Sequence, residues 1–233
     1  LSTNTAHSVN PHLFKKLPYE PVAGFTPVAR ICYFPFVLAV NAGLPVQSVE
    51  QLIAYTRNPQ NKATYAYGNS TGQIAGAAFA TLARLDVAAV PYKSTPQALT
   101  DLVGGQQVQL MFDALPAAIG NVKAGKLKVL ALTGKARHPR FPDVPTFAEI
   151  GLTSYSPTAW IGLFAPAGTP RPVVDRLADA MQKAAAQNPA LIDKWLGYGG
   201  ELKAMTPEAF TAFLKEDNAL WGQAIAKAGV KLD

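Results

Sequence analysis

Charged residues are scarce in this 233-residue chain, at 15% against 49% hydrophobic, where globular domains average about a quarter charged. That balance excludes an intrinsically disordered segment and a solvated coiled coil. Cysteine is almost absent. With Cys32 alone, no internal disulfide and no cysteine-based metal cluster can form, and its place in an apolar run reads as a buried thiol. The three histidines, His7, His12 and His138, lack a second ligand at metal-binding spacing, although His7 and His12 are near enough to share a loop. Long hydrophobic runs are missing as well. The longest, Val28 to Val40, is interrupted by Arg30 and Pro35 and falls short of the roughly 18 residues of a membrane span. The sequence has no Gly-x-Ser-x-Gly elbow, Walker loop or Gly-x-Gly-x-x-Gly fingerprint, so the common acyl-transfer, phosphate-loop and dinucleotide signatures are excluded. It also lacks an initiating Met and a signal peptide, and Leu1 to Thr5 reads as the end of a strand entering a turn, which suggests a processed or truncated piece.

The 21 Lys and Arg outnumber the 15 Asp and Glu, for a net +6. They are scattered singly or in small groups such as Lys123, Lys126 and Lys128, without the aromatic interleaving of a base-stacking surface, so no nucleic-acid partner is expected. A mild positive field that draws in small anions fits the same charge.

What is present is an alternation of short β-like runs with amphipathic stretches. Strands are predicted at Ala63 to Tyr67, Val87 to Tyr92, Val108 to Phe112 and Leu127 to Thr133, each bounded by turn residues. Helix starts are marked by capping-box spacing at Ser48/Gln51, Ser70/Gln73 and Thr146/Glu149, where side chain and backbone satisfy each other's donors. Prolines at Pro96, Pro116, Pro170 and Pro207 mark further starts, since a first helical residue needs no N–H. The β-α-β-α-β-α-β order predicts a mainly parallel sheet covered by helices.

The last third is helical. Val173, Val174, Leu177, Met181 and Ala184 form one predicted stripe, and Phe210, Phe213, Leu214, Trp221 and Ile225 another that ends near Gly229; both read as packing faces. Two extended apolar stretches, Val28 to Val40 and Tyr155 to Pro166, suggest a chain that crosses twice between two domains.

In open parallel sheets ligands bind beyond the carboxyl ends of the strands. Three places qualify. Gly68-Asn69-Ser70-Thr71-Gly72 follows the first predicted strand and opens a helix, so its free donors, hydroxyls and helix end suit an anion, though Ser70 is equally explained as an N-cap. Asp113 follows the third, either as a site residue or as a loop carboxylate satisfied by neighbouring amides. Thr133-Gly134 follows the fourth. With Asp113 the sole acid at these ends, a two-carboxylate mechanism is disfavoured, leaving a cleft that binds without reacting.

Several segments carry a resemblance: Asn10-Pro11-His12-Leu13-Phe14, Pro27 to Ile31, Val90-Pro91-Tyr92-Lys93 with Ala98 to Gly105, and Val108 to Asp113. Gly125-Lys126-Leu127, Pro142 to Thr146 and the run Trp160 to Pro170 complete it. In this order, nearly end to end, the sequence resembles the Bug family, extracytoplasmic solute receptors of tripartite tricarboxylate transporters. The resemblance implies an α/β periplasmic-binding-protein fold, two Rossmann-like domains around a ligand cleft. It also implies a periplasmic, monomeric, non-enzymatic receptor without cofactor or metal. Its expected partners are a small carboxylate (a di- or tricarboxylate, acidic amino acid or aromatic acid) and the membrane transporter subunits. A ligand-sensing partner of a membrane signalling protein is the alternative.

Carried over residue by residue, the resemblance places Ser2, Thr3, Asn4 and Thr5 from one domain and Asn69, Ser70, Thr71 and Gly72 from the other at the cleft, with Asp113 and Trp160. Beside an anion, Asp113 would order water, accept from a ligand hydroxyl or amino group, or be protonated. The sequence departs from the family pattern in its short turn at Asn69 to Gly72, in Gln73 and Ala77 where His and Glu are frequent, and in the missing Pro-Phe-x-x-Gly-Gly loop. The expected organisation is therefore residues 1–34 with 160–233 as a first domain lacking its leading strand and helix, and residues 35–159 as the second.

Overall fold

Seventeen consecutive residues, Phe25–Asn41, form a single strand, β2, in the computed structural model, which describes residues 1–152 and 158–229. Arg30 and Pro35 do not break it. Arg30 lies within it, 8% exposed, with its guanidinium 5.4 Å from the Tyr33 ring centroid and 4.7 Å from that of Phe213, so aromatic faces stand in for part of its lost hydration. The chain divides into two compact units, Leu1–Phe34 with Ala159–Asp233 and Pro35–Thr158, and β2 contributes to a sheet in each.

In the second unit, β2 lies between β5 (Leu110–Ala114) and β6 (Leu127–Leu132), and β3 (Thr64–Tyr67) lies between β5 and β4 (Ala88–Pro91). β3 is parallel to β4 and β5, whereas β2 is antiparallel to β5 and β6. The expected parallel order thus holds for β3, β4 and β5, with an antiparallel β2 inserted beside them. Pairing with β2, from Phe36↔Ala114 to Val40↔Leu110, also moves the third predicted strand two residues onward. Asp113 is therefore inside a strand, opposite Val37, rather than after it.

Helices cover both faces, because side chains alternate across a strand. Met111 joins Leu102 of α4 (Thr95–Gly104) and Leu115 and Ala118 of α5 (Leu115–Lys123) in one core. Its neighbour Phe112 points the other way, 5.0 Å between centroids from Phe79 of α3 (Ser70–Ala83). Each such large side chain, fully buried, contributes about 1.5–3 kcal/mol. Close approach of α3 to the sheet requires its small residues: a Cβ on Gly76 would lie 2.4 Å from the Tyr65 ring, and one on Gly72 would lie 2.8 Å from the Phe112 carbonyl oxygen.

The capping signals are only partly realised. Ser48 caps α2 (Val49–Arg57) through Gln51 N, but the Gln51 side chain accepts from Gln47 N instead of closing the box. Thr146 and Glu149 form the reciprocal pair, at 2.6 and 3.2 Å, around a turn rather than a helix. At α3 the cap is Asn69, whose side chain accepts from Gly72 N at 2.8 Å, so Ser70 is the first helical residue and not the cap.

In the first unit, β1 (Ser2–Thr3) pairs antiparallel with β7 (Thr158–Pro166), which also neighbours β2, and β8 (Glu201–Leu202) pairs with β2. Of the extended stretch expected over Tyr155 to Pro166, residues 155–157 lie outside the described residues. A π-helical turn, Thr5–Val9, leads into α1 (Asn10–Leu13). α6 (Arg171–Gln187), α7 (Pro189–Gly197) and α8 (Pro207–Ala228) complete the unit. α8 buries Phe210, Trp221 and Ile225 and ends on Gly229 at φ 67°, as its stripe predicts. α6 is turned from its expected register. Val174 and Ala178 pack on Val28 and Ala165, leaving Val173 and Leu177 48% and 41% exposed, because the small alanines bring this face closer to the sheet than the bulkier one can come.

Cys32 is fully buried in β2, and burial, partly offset by the Ile161 backbone and Arg30, pushes its thiol up to about 12. Thiolate being the reactive form, a thiol reagent at pH 8 is expected to label the folded protein far more slowly than the urea-unfolded chain. Equal rates would contradict this environment.

Candidate functional site

Three helices of the second unit begin where three strands end: α3 after β3, α4 after β4 and α5 directly after β5. Since β3, β4 and β5 are parallel, their carboxyl ends share one sheet edge and the helix N-termini gather there, with backbone donors and positive dipole ends in one place.

Asp113 ties this edge together. One of its oxygens accepts from Ala114 N at 2.7 Å, and the other accepts from Thr95 Oγ1 at 2.9 Å and Asn69 Nδ2 at 3.5 Å. Asn69 Nδ2 also donates to Thr95 Oγ1 at 3.0 Å. Residues from three different strand ends thus form one closed network. Burial to 8% exposure pushes the Asp113 carboxyl above its ordinary range, while the bonds from Ala114, Thr95 and Asn69 pull the other way. Its oxygens are occupied by protein donors, the arrangement of a satisfied carboxylate that fixes its neighbours. Gly68 makes the contact possible: a Cβ there would lie 2.2 Å from Thr95 N.

Of the residues singled out in this unit, Asn69 and Asp113 belong to the network, Ser70 and Thr71 form the first turn of α3, and Gly72 packs on β5. Sequence reasoning missed Thr95 as a site residue, since it was legible only as a helix start before Pro96; Gly68 was read as part of the turn, but not as the point of contact with α4. Thr133 donates its backbone N–H to Phe36 O and accepts from Phe36 N through Oγ1, both at 2.8 Å, which extends β6 rather than offering a site.

In the first unit, Ser2 and Thr3 form β1 opposite Gly162 and Ile161, Asn4 precedes the π-helical turn and is 2% exposed, and Thr5 begins that turn. Ser2 Oγ is 2.9 Å from His7 Nε2, and His7 Nδ1 is 2.6 Å from the Pro21 carbonyl oxygen. The imidazole is 4% exposed and stacks on Phe164 at 4.0 Å between centroids, and burial pulls its pKa down against the Pro21 bond. Trp160 lies in the core of this unit. It is 0% exposed among His7, Phe164, Phe210 and Phe213, and its indole N–H donates to Asp217 at 2.8 Å. A fully enclosed ring with its one polar atom satisfied packs as a core residue. Among the described residues no group of three His, Cys, Asp or Glu stands together to hold a metal, and no helix is long and apolar enough to cross a membrane.

Helix N-termini collected at a sheet edge are common to open α/β folds, and solved structures identify this mixed α/β fold as that of the periplasmic binding proteins. The chain superposes on R. palustris Rpa4515 with adipate at a TM-score of 0.91, with 31% identity over 99% of this chain and 77% of that one. For the periplasmic binding protein BugD the TM-score is 0.86, with 30% identity over 97% and 77% of the two chains. For MatC from Rhodopseudomonas palustris with bound malate it is 0.82, with 28% identity over 96% and 77%. The sequence is 31% identical over 230 residues to a protein of the tcbD-tcbE intergenic region of Pseudomonas sp. strain P51, covering 97% of this chain and 68% of that relative. Residues 1–230 match the model of the tripartite tricarboxylate transporter family receptor, and the chain belongs to that family.

Proposed function

We propose that this protein is a periplasmic receptor that binds a small carboxylic acid without turning it over and, as a monomer, hands it to the membrane subunits of a tripartite tricarboxylate transporter. The observation that carries this reading is the gathering of the α3, α4 and α5 N-termini at one sheet edge, fixed by Asp113, Asn69 and Thr95. The first turn of α3, at Ser70, Thr71 and Gly72, supplies donors to a ligand carboxylate. In this role Asp113 is a positioning residue. The adipate and malate of the related structures support the ligand class.

A panel of dicarboxylates, tricarboxylates, acidic amino acids and aromatic acids, followed by thermal shift and calorimetry, tests the reading. A cognate acid at 100 times its Kd is expected to stabilise the fold by about 2.7 kcal/mol. No stabilisation by any member overturns it.

A further inference from the structure

At the amino ends of β3 and β4, the opposite sheet edge from the Asp113 network, the second unit has a cavity of about 410 Å³ lined in part by Thr56, Asn58, Lys62, Thr64 and Asp86. We propose that this cavity is a second binding site, independent of the carboxylic-acid receptor reading, and that its ligand is a small zwitterion of the α-amino acid type.

Strand register brings the two charges together. β3 and β4 run parallel with Thr64 opposite Ala88, and Lys62 and Asp86 each stand two residues before that pair. An ammonium and a carboxylate thus share one end of two neighbouring strands and line one cavity. Yet no ion pair joins them among the described residues. The other polar groups divide by type. Thr56 Oγ1 donates to Ile53 O at 3.0 Å and Thr64 Oγ1 to Gln107 O at 2.8 Å, so each hydroxyl has spent its single proton and has lone pairs left. Asn58 Oδ1 accepts from Gln60 N at 3.1 Å, which leaves that side chain its amide N–H donors. Asp86 and the threonines are therefore an acceptor set suited to an ammonium, and Lys62 with Asn58 a donor set suited to a carboxylate. A simple anion or cation satisfies one set and meets like charge in the other; a molecule carrying both charges satisfies the two together. The volume lies within the range of small-molecule sites, about 300–1,000 Å³.

The backbone of Lys62 adds a separate observation. It is left-handed, at φ 43° and ψ 45°, a conformation in which any side chain but glycine's is disfavoured. Arg84, at φ 52°, is the other such non-glycine residue among those described, but it ends the 14-residue α3, where a cation meets the negative end of the helix dipole. Lys62 follows only the three-residue 3-10 turn Pro59–Asn61, which offers no comparable dipole. A cation is held at a position that glycine would fill with less strain, and strain of this kind gathers at ligand sites.

Backbone-amide spectra of the full chain, recorded while L-alanine is titrated, test the inference. Alanine is expected to shift the amides of residues 56–64 and 86–88 saturably, with a Kd of about 1–10 mM. Propionate and ethylamine, which carry one charge each, are expected to bind there about tenfold more weakly, the loss of one charge-assisted contact. Lys62→Gly removes the ammonium at a φ that glycine accepts, and Asp86→Asn removes the negative charge at nearly constant shape. Both positions are exposed, so each variant is expected to keep the parent's fold and to bind alanine about tenfold more weakly. No saturable shift at these residues, equal affinity for the three probes, or unchanged affinity in both variants overturns the inference. Shifts confined to the Ser70 to Gly72 turn place alanine at the other edge and overturn it as well. The receptor reading stands apart from these outcomes, since the carboxylic-acid panel tests it separately.

Discussion

Gly68→Ala is expected to disrupt the second unit more than any other small substitution at the sheet edge. The added Cβ would meet Thr95 N at 2.2 Å, the Ser94 carbonyl carbon at 2.3 Å and Thr95 Cα at 2.5 Å. These are all backbone atoms, so no rotamer change relieves the clash; either the Tyr67 to Asn69 turn or the start of α4 must move. Overpacking of this kind costs about 1–3 kcal/mol or more, and the displacement separates Asn69 from Thr95, whose side chains are 3.0 Å apart. Denaturant unfolding is expected to show the stability loss, and calorimetry a fall in carboxylate affinity of at least tenfold. Gly120→Ala, in α5 with nothing within 4 Å of the added carbon, is the control and is expected to be neutral or to stabilise by about 0.5–1 kcal/mol. A Gly68→Ala protein as stable as the parent, with unchanged affinity, would contradict the close approach on which the site depends.

Trp160→Ala is expected to cost about 3–5 kcal/mol, the range for emptying a large buried aromatic site. Trp160→Phe separates packing from polarity. It retains a ring among Phe164, Phe210 and Phe213 but removes the donor at 2.8 Å from Asp217, leaving a carboxylate with 5% exposure short of one partner, at a cost of about 1–3 kcal/mol. The pH dependence has a definite sign. Burial pushes the Asp217 carboxyl up, while the Trp160 bond is among those that pull it down. Its removal raises the folded-state pKa further, so the variant's fold binds a proton more readily than the parent's. A group whose folded pKa is raised contributes stability at low pH that is lost as pH rises through that pKa. The deficit of Trp160→Phe is therefore expected to be greatest at pH 7 and to shrink as urea unfolding is repeated towards pH 4. A deficit that grows on acidification would exclude this account.

Much of the architecture was legible because it is encoded locally. The α/β class follows from the alternation of apolar runs with helix-start signals, and β3, β4, β5 and β6 each fall within two residues of their predicted bounds. Features set by distant partners were not. Whether α6 buries Val173 or Val174 depends on Val28 and Ala165, far away in sequence. The end of β5 depends on β2, and with it the placement of Asp113 inside a strand. The Asp113 network unites positions 69, 95 and 113, each unremarkable alone, so the composition of the turn at Asn69 suggested an anion site without revealing what holds it rigid. The enclosure of Trp160 was not legible either, because a large aromatic in a family motif serves packing as readily as recognition. The contact of Ser2 with His7 joins two residues whose types alone do not announce it.

The pairing of β1 with β7 has a consequence for how the molecule is made. Ser2 and Thr3 find their partners at Gly162 and Ile161, so they leave the ribosome well before the residues they pair with. At about 5–20 residues per second, translation alone imposes a delay on the order of ten seconds or more. During it the apolar stretch around Val28 to Phe34 has no sheet to join in the first unit, while Pro35–Thr158 already contains the chain for its own core. The second unit is thus free to fold first on the nascent chain, whereas the first must await the chain's return at Ala159.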